Sequence, residues 1–251
     1  MNTTLTALTV LGCLLAAVFV GRAIRRVLPE DHLSADSRDV VKLGIGLVAT
    51  MSALVLGLLV SSAKGAYDTE RSEVIQITAK IMFLDRLLVA YGPEAAGART
   101  LLRDAVEEGI QQMWPGEMRR PASFAPNTQA GNLVYAAIQS LAPRNDMQAT
   151  LKTQAGTLTV DLAQIRTLLA AQSIASISTP MLIILVAWLV VIFLGFSVLA
   201  PPNATAILAL MVSALAVSGA ILLILELDQP FGGLIGISSD PMVNALHQLE
   251  K

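Results

Sequence analysis

The sequence predicts an all-α membrane protein: four transmembrane helices in two pairs (2+2), with a helical extramembrane stalk domain between spans two and three. Three observations carry this. The 251 residues are 54% hydrophobic and only 14% charged, with a mean hydropathy of +0.65, whereas soluble domains carry about a quarter charged residues. Four apolar runs without Asp, Glu, Lys, Arg or His approach the ~20 residues that a helix needs to cross a hydrocarbon core. Between the second and third runs lies a neutral stretch whose apolar residues recur at heptad spacing.

The first run extends from Thr3 to Gly21. No cation precedes it, while Arg22, Arg25 and Arg26 follow, which is the layout of an uncleaved anchor and not of a cleaved signal peptide. The second runs from Leu43 to Val60, the third from Pro180 to Ala200, and the fourth from Thr205 to Leu225. Pro180 suits a first helical turn, where its missing N–H costs nothing. Ala200 to Asn203, with two prolines between them, predicts a tight hairpin. The expected division is therefore 1–62, 63–179, 180–225 and a tail, 226–251, with a short helix that Asp240 caps and Pro241 begins.

Orientation follows from the basic residues. Arg22, Arg25, Arg26, Arg38 and Lys42 all fall in the first connection, which places that loop in the cytoplasm. Both termini and the stalk then face outward from the cell membrane, the inner membrane in a bacterium.

The stalk is read in the same way. Val60, Ala63, Tyr67, Val74, Ile77, Ile81, Leu84, Leu88 and Tyr91 form one seam, interrupted by Glu70, and Gly92-Pro93 stops it. A second helix is expected over 93–114, burying Leu101, Leu102, Val106, Ile110 and Met113. A loop is expected over 115–129, followed by a short helix over 131–142 with Leu133, Val134, Ala137, Ile138 and Leu141 apolar. The last, capped by Asn145, repeats the seam with Leu151, Ala155, Leu158, Leu162, Ile165 and Leu169. Two such seams predict an antiparallel pair, with Ile77 near Leu162, Leu84 near Leu158, and Asp161 off the seam.

Residue chemistry argues against an enzyme. No nucleophile–base set, phosphate loop or metal-ligand cluster is present, so no catalytic residue, cofactor or metal is assigned. The two histidines, His32 and His247, stand far apart, and Cys13 is alone. A net charge of −2 gives no nucleic-acid footprint. Two features stand out. Gly46, Thr50, Ala53, Gly57 and Ser61 share one face of the second span, either a close-packing stripe or a pore lining wetted by Thr50, Ser52 or Ser61. Glu226 and Asp228 end the fourth span, as a structural ion-pair network or as an acidic mouth.

Several segments resemble the bestrophin-like domain family of unknown function, bacterial four-span membrane proteins. They are WLVVIF at 188–193, APPN at 200–203, LELDQPFG at 225–232, GISSDP at 236–241 and SSAKGAYD at 61–68. The resemblance implies a four-span membrane protein, and by extension from true bestrophins a homo-oligomeric channel. It departs from true bestrophins at the second span, where 43–60 lacks the aromatic residues that line their neck. It also lacks the long acidic calcium run, for which only Glu226 and Asp228 stand in a comparable place. The reading is a homo-oligomeric ion-conducting pore in a lipid bilayer. The alternative is a non-conducting membrane-anchored scaffold or sensor whose stalk binds a partner, reachable by crosslinking from surface positions such as Glu73 or Arg166.

Overall fold

The structure, a computed structural model, describes residues 3–27, 35–114, 128–172, 179–201 and 203–250. Its regular elements are all helical: α1 (Thr3–Val27), α2 (Ala35–Tyr91), a 3₁₀ turn at Pro93–Ala95, α3 (Ala96–Met113), α4 (Thr128–Ser140), α5 (Asp146–Gln172), α6 (Thr179–Leu199), α7 (Ala204–Leu227) and α8 (Asp240–Leu249). The chain divides into two compact units, Met1–Ala66 with Ser176–Asp228, and Tyr67–Ala175 with Gln229–Lys251. The helix α2 contributes to both.

In the first unit α1 packs against α6 and α7. Its buried face is Ala7, Val10, Leu14, Ala17, Val18 and Gly21, mostly small residues at helical spacing. Small residues let backbones approach, and Gly21 shows how closely: a Cβ there would lie 2.7 Å from the Leu194 carbonyl oxygen and 2.8 Å from Ser197 Cβ. At Gly195 the neighbour is a side chain of α2, since a Cβ there would meet Ile45 Cδ1 at 2.4 Å. Hydroxyls add cross-helix bonds. Ser197 Oγ donates to the Val18 carbonyl at 2.5 Å and Ser218 Oγ to the Ala7 carbonyl at 2.8 Å. Each such bond between membrane helices contributes on the order of 0.6 kcal/mol.

These contacts fix helix direction. Arg25, near the end of α1, donates to the Val198 and Ala200 carbonyls at the end of α6, satisfying acceptors that a helix terminus leaves open. Thr3, at the start of α1, reaches Glu226 at the end of α7. So α1 runs parallel to α6 and antiparallel to α7. Pro180 sits in the first turn of α6 as expected, and Asn203 caps α7 by accepting from the Ala206 N–H at 3.0 Å.

The second unit is built on the seam. Val74, Ile77, Ile81, Leu84, Leu88 and Tyr91 of α2 are buried in one cluster with Leu102 and Val106 of α3, Val134 and Ile138 of α4, and Ala155, Leu162 and Leu169 of α5. Gly92 ends α2 at φ +118, a backbone conformation that only glycine adopts without strain. Arg99 on α3 then grips Asp85 on α2 through two hydrogen bonds of 2.6 and 3.3 Å. Asn145 accepts from the Gln148 N–H at 2.8 Å, so it caps α5 as expected. The segment 229–250 joins this cluster through Phe231, Ile237 and Met242. Trp114 donates to the Ile237 carbonyl at 2.8 Å and meets Phe231 edge-on at 5.6 Å.

Three expectations need correction. The helix α2 starts at Ala35, eight residues before the apolar run, because Asp39, Lys42 and their neighbours continue the turn with an i,i+3 pair. Asp240 is the first residue of α8 and not its cap, which is Ser239. Glu73 is buried and Arg166 half-buried, so neither is an open crosslinking position. Of the expected loop over 115–129, residues 115–127 lie outside the described residues and 128–129 belong to α4.

Candidate functional site

The second-span stripe lies on the outside of the first unit. Gly46, Thr50, Ala53, Gly57 and Ser61 are all exposed, and a Cβ at Gly46 or Gly57 would have nothing within 4 Å. At about 100° per residue these five fall within a narrow arc of α2. The face that α2 buries is a different one, carrying Ile45, Ser52, Leu59 and Ala63. Ser52 therefore points inward, away from the stripe, and its Oγ has no hydrogen-bond partner. Thr50 turns its hydroxyl back onto the Gly46 carbonyl at 2.9 Å, which leaves the oxygen's lone pairs open outward. Beside the stripe stand Leu47, Leu54 and Leu58, bulky and exposed.

The arrangement is unusual for a helix in lipid. A lipid-facing surface favours large apolar side chains, and small or hydroxyl residues collect where backbones approach or water enters. Within this chain the close approaches are made by Gly21 and Gly195, not by the stripe. On α7, Ala209, Ser213 and Ala216 are likewise exposed and Ala220 is half-buried, while Ala214, Ser218 and Ile221 are buried.

The two acids at the end of α7 are placed differently from each other. Glu226 is buried and accepts the Thr3 hydroxyl on Oε1 at 2.5 Å, which ties α1 to α7. Asp228 is half-buried at the helix end, its N–H bonded to carbonyls of the last turn. Ile45 of α2 sits against Gly195 near the end of α6.

Among the described residues no three His, Cys, Asp or Glu side chains gather to hold a metal ion. His247 is exposed with Nδ1 3.5 Å from Glu250, and His32 lies outside the described residues. Cys13 is exposed on α1.

Four helices, α1, the apolar part of α2, α6 and α7, are long and apolar enough to cross a membrane. The fold is similar to that of a bacterial bestrophin homologue from Klebsiella pneumoniae. Crystal structures of two single-substitution variants superpose with TM-scores of 0.73 and 0.68, both at 15% identity. They cover 99% and 97% of this chain, and 97% of their own length in each case. No curated protein matches the chain in sequence. The model of the bestrophin-like domain matches residues 12–242, nearly the whole length. With its four apolar helices and that match, this membrane protein belongs to the bestrophin-like family.

Proposed function

We propose that copies of this chain assemble around an axis lined by the Gly46–Ser61 face of α2 and conduct ions along it. The observation that carries the reading is that this face is small, hydroxyl-bearing and without a partner inside the chain, while bulky leucines flank it. Around an axis, Thr50 and Ser61 offer oxygens to a passing ion, and Gly46, Ala53 and Gly57 leave it room. The lining lacks aromatics, so the constriction is set by how closely the helices approach.

At the Ser61 end, Glu226 and Asp228 supply the negative charge of the mouth. Glu226 also braces α1 through Thr3, and Asp228 carries the more exposed charge. A ring of such carboxylates concentrates cations. The membrane arrangement is two pairs of spans with the helical unit between them as a stalk. The basic first connection faces the cytoplasm, so the termini and that unit face outward. The seam that suggested a scaffold for a foreign partner is closed within the chain, α2 against α5, which favours the pore reading over it.

The test is ion flux into liposomes carrying the protein as Ser61→Cys, with Cys13→Ala removing the native thiol. A charged thiol reagent that reaches Cys at 61 blocks flux in the pore reading. Flux that persists in fully modified protein removes Ser61 from the path.

A further inference from the structure

The second unit contains a cavity of about 300 Å³ lined by α2, α3, α4, α5 and Met242. Its origin is legible in the sequence. The helix α4 packs on both α3 and α5, and the residues facing the gap include Ala105 and Gly109 on α3, Gly131 on α4 and Ala163 on α5. A Cβ at Gly109 or Gly131 would meet nothing within 4 Å. Missing side chains thus create the space, and Ile81, Leu84, Leu102, Val106, Val134 and Leu162 give it apolar walls.

One cation lines it. Arg166 is half-buried, and among the described residues it forms no hydrogen bond or ion pair. Two arginines of this unit are held in ion pairs between elements: Arg99 with Asp85 at 2.6 Å, Arg144 with Glu94 at 2.8 Å. A guanidinium has five donors in a planar fork, and removing it from water without an acceptor costs free energy. Burial pushes Arg166 below the usual arginine range, and the Glu108 carboxylate pulls it back up. It stays charged, since arginine is not deprotonated in proteins. The exposed Glu108 spends one of its oxygens accepting from Gln112 at 3.1 Å. Asn132, Tyr135 and Thr167 are the exposed polar residues of the same lining.

We propose that this cavity binds an amphiphilic monoanion: a compact apolar body in the space between α3 and α5, with one carboxylate on Arg166. The volume stands at the lower end of small-molecule sites, which suits a bicyclic or short-chain body and not a whole lipid. A neutral apolar guest offers the guanidinium no acceptor, and a cation is repelled by it. A polyanion finds one guanidinium in an otherwise apolar wall. A carboxylate matches the fork with two parallel hydrogen bonds. The site lies in a different unit from the α2 stripe and stands or falls independently of the pore.

The experiment uses the full chain in nanodiscs, with 2-naphthoate as the probe and empty nanodiscs subtracted, read by titration calorimetry. Saturable binding of one naphthoate per chain is expected. Arg166→Gln should weaken it about tenfold or more, as the loss of a charge-assisted hydrogen bond does, and Arg166→Lys should recover part of the loss. Ala163→Phe, which fills the space, should abolish binding with the thermal unfolding midpoint unchanged. Independently of any variant, 2-naphthalenemethanol, with the same body and no charge, should bind the wild-type protein at least tenfold more weakly. Absence of saturable naphthoate binding overturns the proposal. So does equal affinity in Arg166→Gln, or equal affinity for the alcohol.

Discussion

Lys80 on α2 donates to Asp161 on α5 at 2.6 Å across 81 residues of chain. Eleven residues further up α2, the Tyr91 carbonyl accepts from Gln148 at 2.9 Å. Moving up α2 thus moves back down α5, as antiparallel pairing requires. Both links agree, within a helical turn, with the expected approach of Ile77 to Leu162 and of Leu84 to Leu158, and all four side chains belong to one apolar cluster. The seam therefore pairs two helices of one chain.

The energetics of that pairing should separate the apolar seam from its ionic link. Leu162→Ala should destabilise the protein by about 2 kcal/mol, the lower end of buried leucine truncations, because Leu162 already borders a cavity. Asp161→Ala should cost less than about 1 kcal/mol, since its side chain is 39% exposed and that of Lys80 28%. Unfolding followed by the two tryptophans measures both. A larger loss at Asp161 than at Leu162 would reverse the ranking.

Gly21 carries the close crossing of α1 and α6. Gly21→Val should separate them, because a Cβ already meets the Leu194 carbonyl at 2.7 Å and helix backbone cannot yield as a flexible side chain can. Gly57→Val, with open space around it, should leave a single chain's fold intact. Thermal unfolding in detergent should drop sharply for the first and stay near wild type for the second. Equal drops would mean that the Gly57 face already matters to the stability of the isolated chain.

The orientation has a direct check. Gln154 is exposed on α5, so Gln154→Cys in a Cys13→Ala background should react with an impermeant maleimide added outside intact cells. Reaction only after permeabilisation would place the helical unit in the cytoplasm and invert the positive-inside reading.

Much of the fold was legible because it rests on local periodicity. The apolar runs gave α1, α6 and α7 to within a few residues, and the heptad gave the buried face of α2 through Tyr91. Asn145 and Asn203 announced two helix starts by the hydrogen bonds that they make. What escaped is what depends on a second helix. Small residues look alike in sequence whether they face a neighbour or nothing, so Gly21 and Gly195 were missed as contact points. Ser52 was read as a pore hydroxyl although it points inward. Arg166 was read as surface because the heptad reports which residues touch α2, and the gap between α3 and α5 has no periodic signature.

The acidic end should govern selectivity and not gating. Asp228→Asn removes charge from the mouth without touching the Thr3–Glu226 link. Under a salt gradient, the reversal potential should move away from the cation equilibrium value with little change in protein stability. An unchanged reversal potential would remove Asp228 from the conduction path.

The central claim is that the small face of α2 lines an ion path. Its most direct test is single-channel recording of the purified protein in planar bilayers, alongside Thr50→Leu and Gly57→Leu. The account predicts unitary currents from the wild type, with conductance reduced at least severalfold by either substitution, while Leu47→Val on the neighbouring face leaves it unchanged. Silent bilayers containing assembled protein, or currents indifferent to residues 50 and 57, would contradict it.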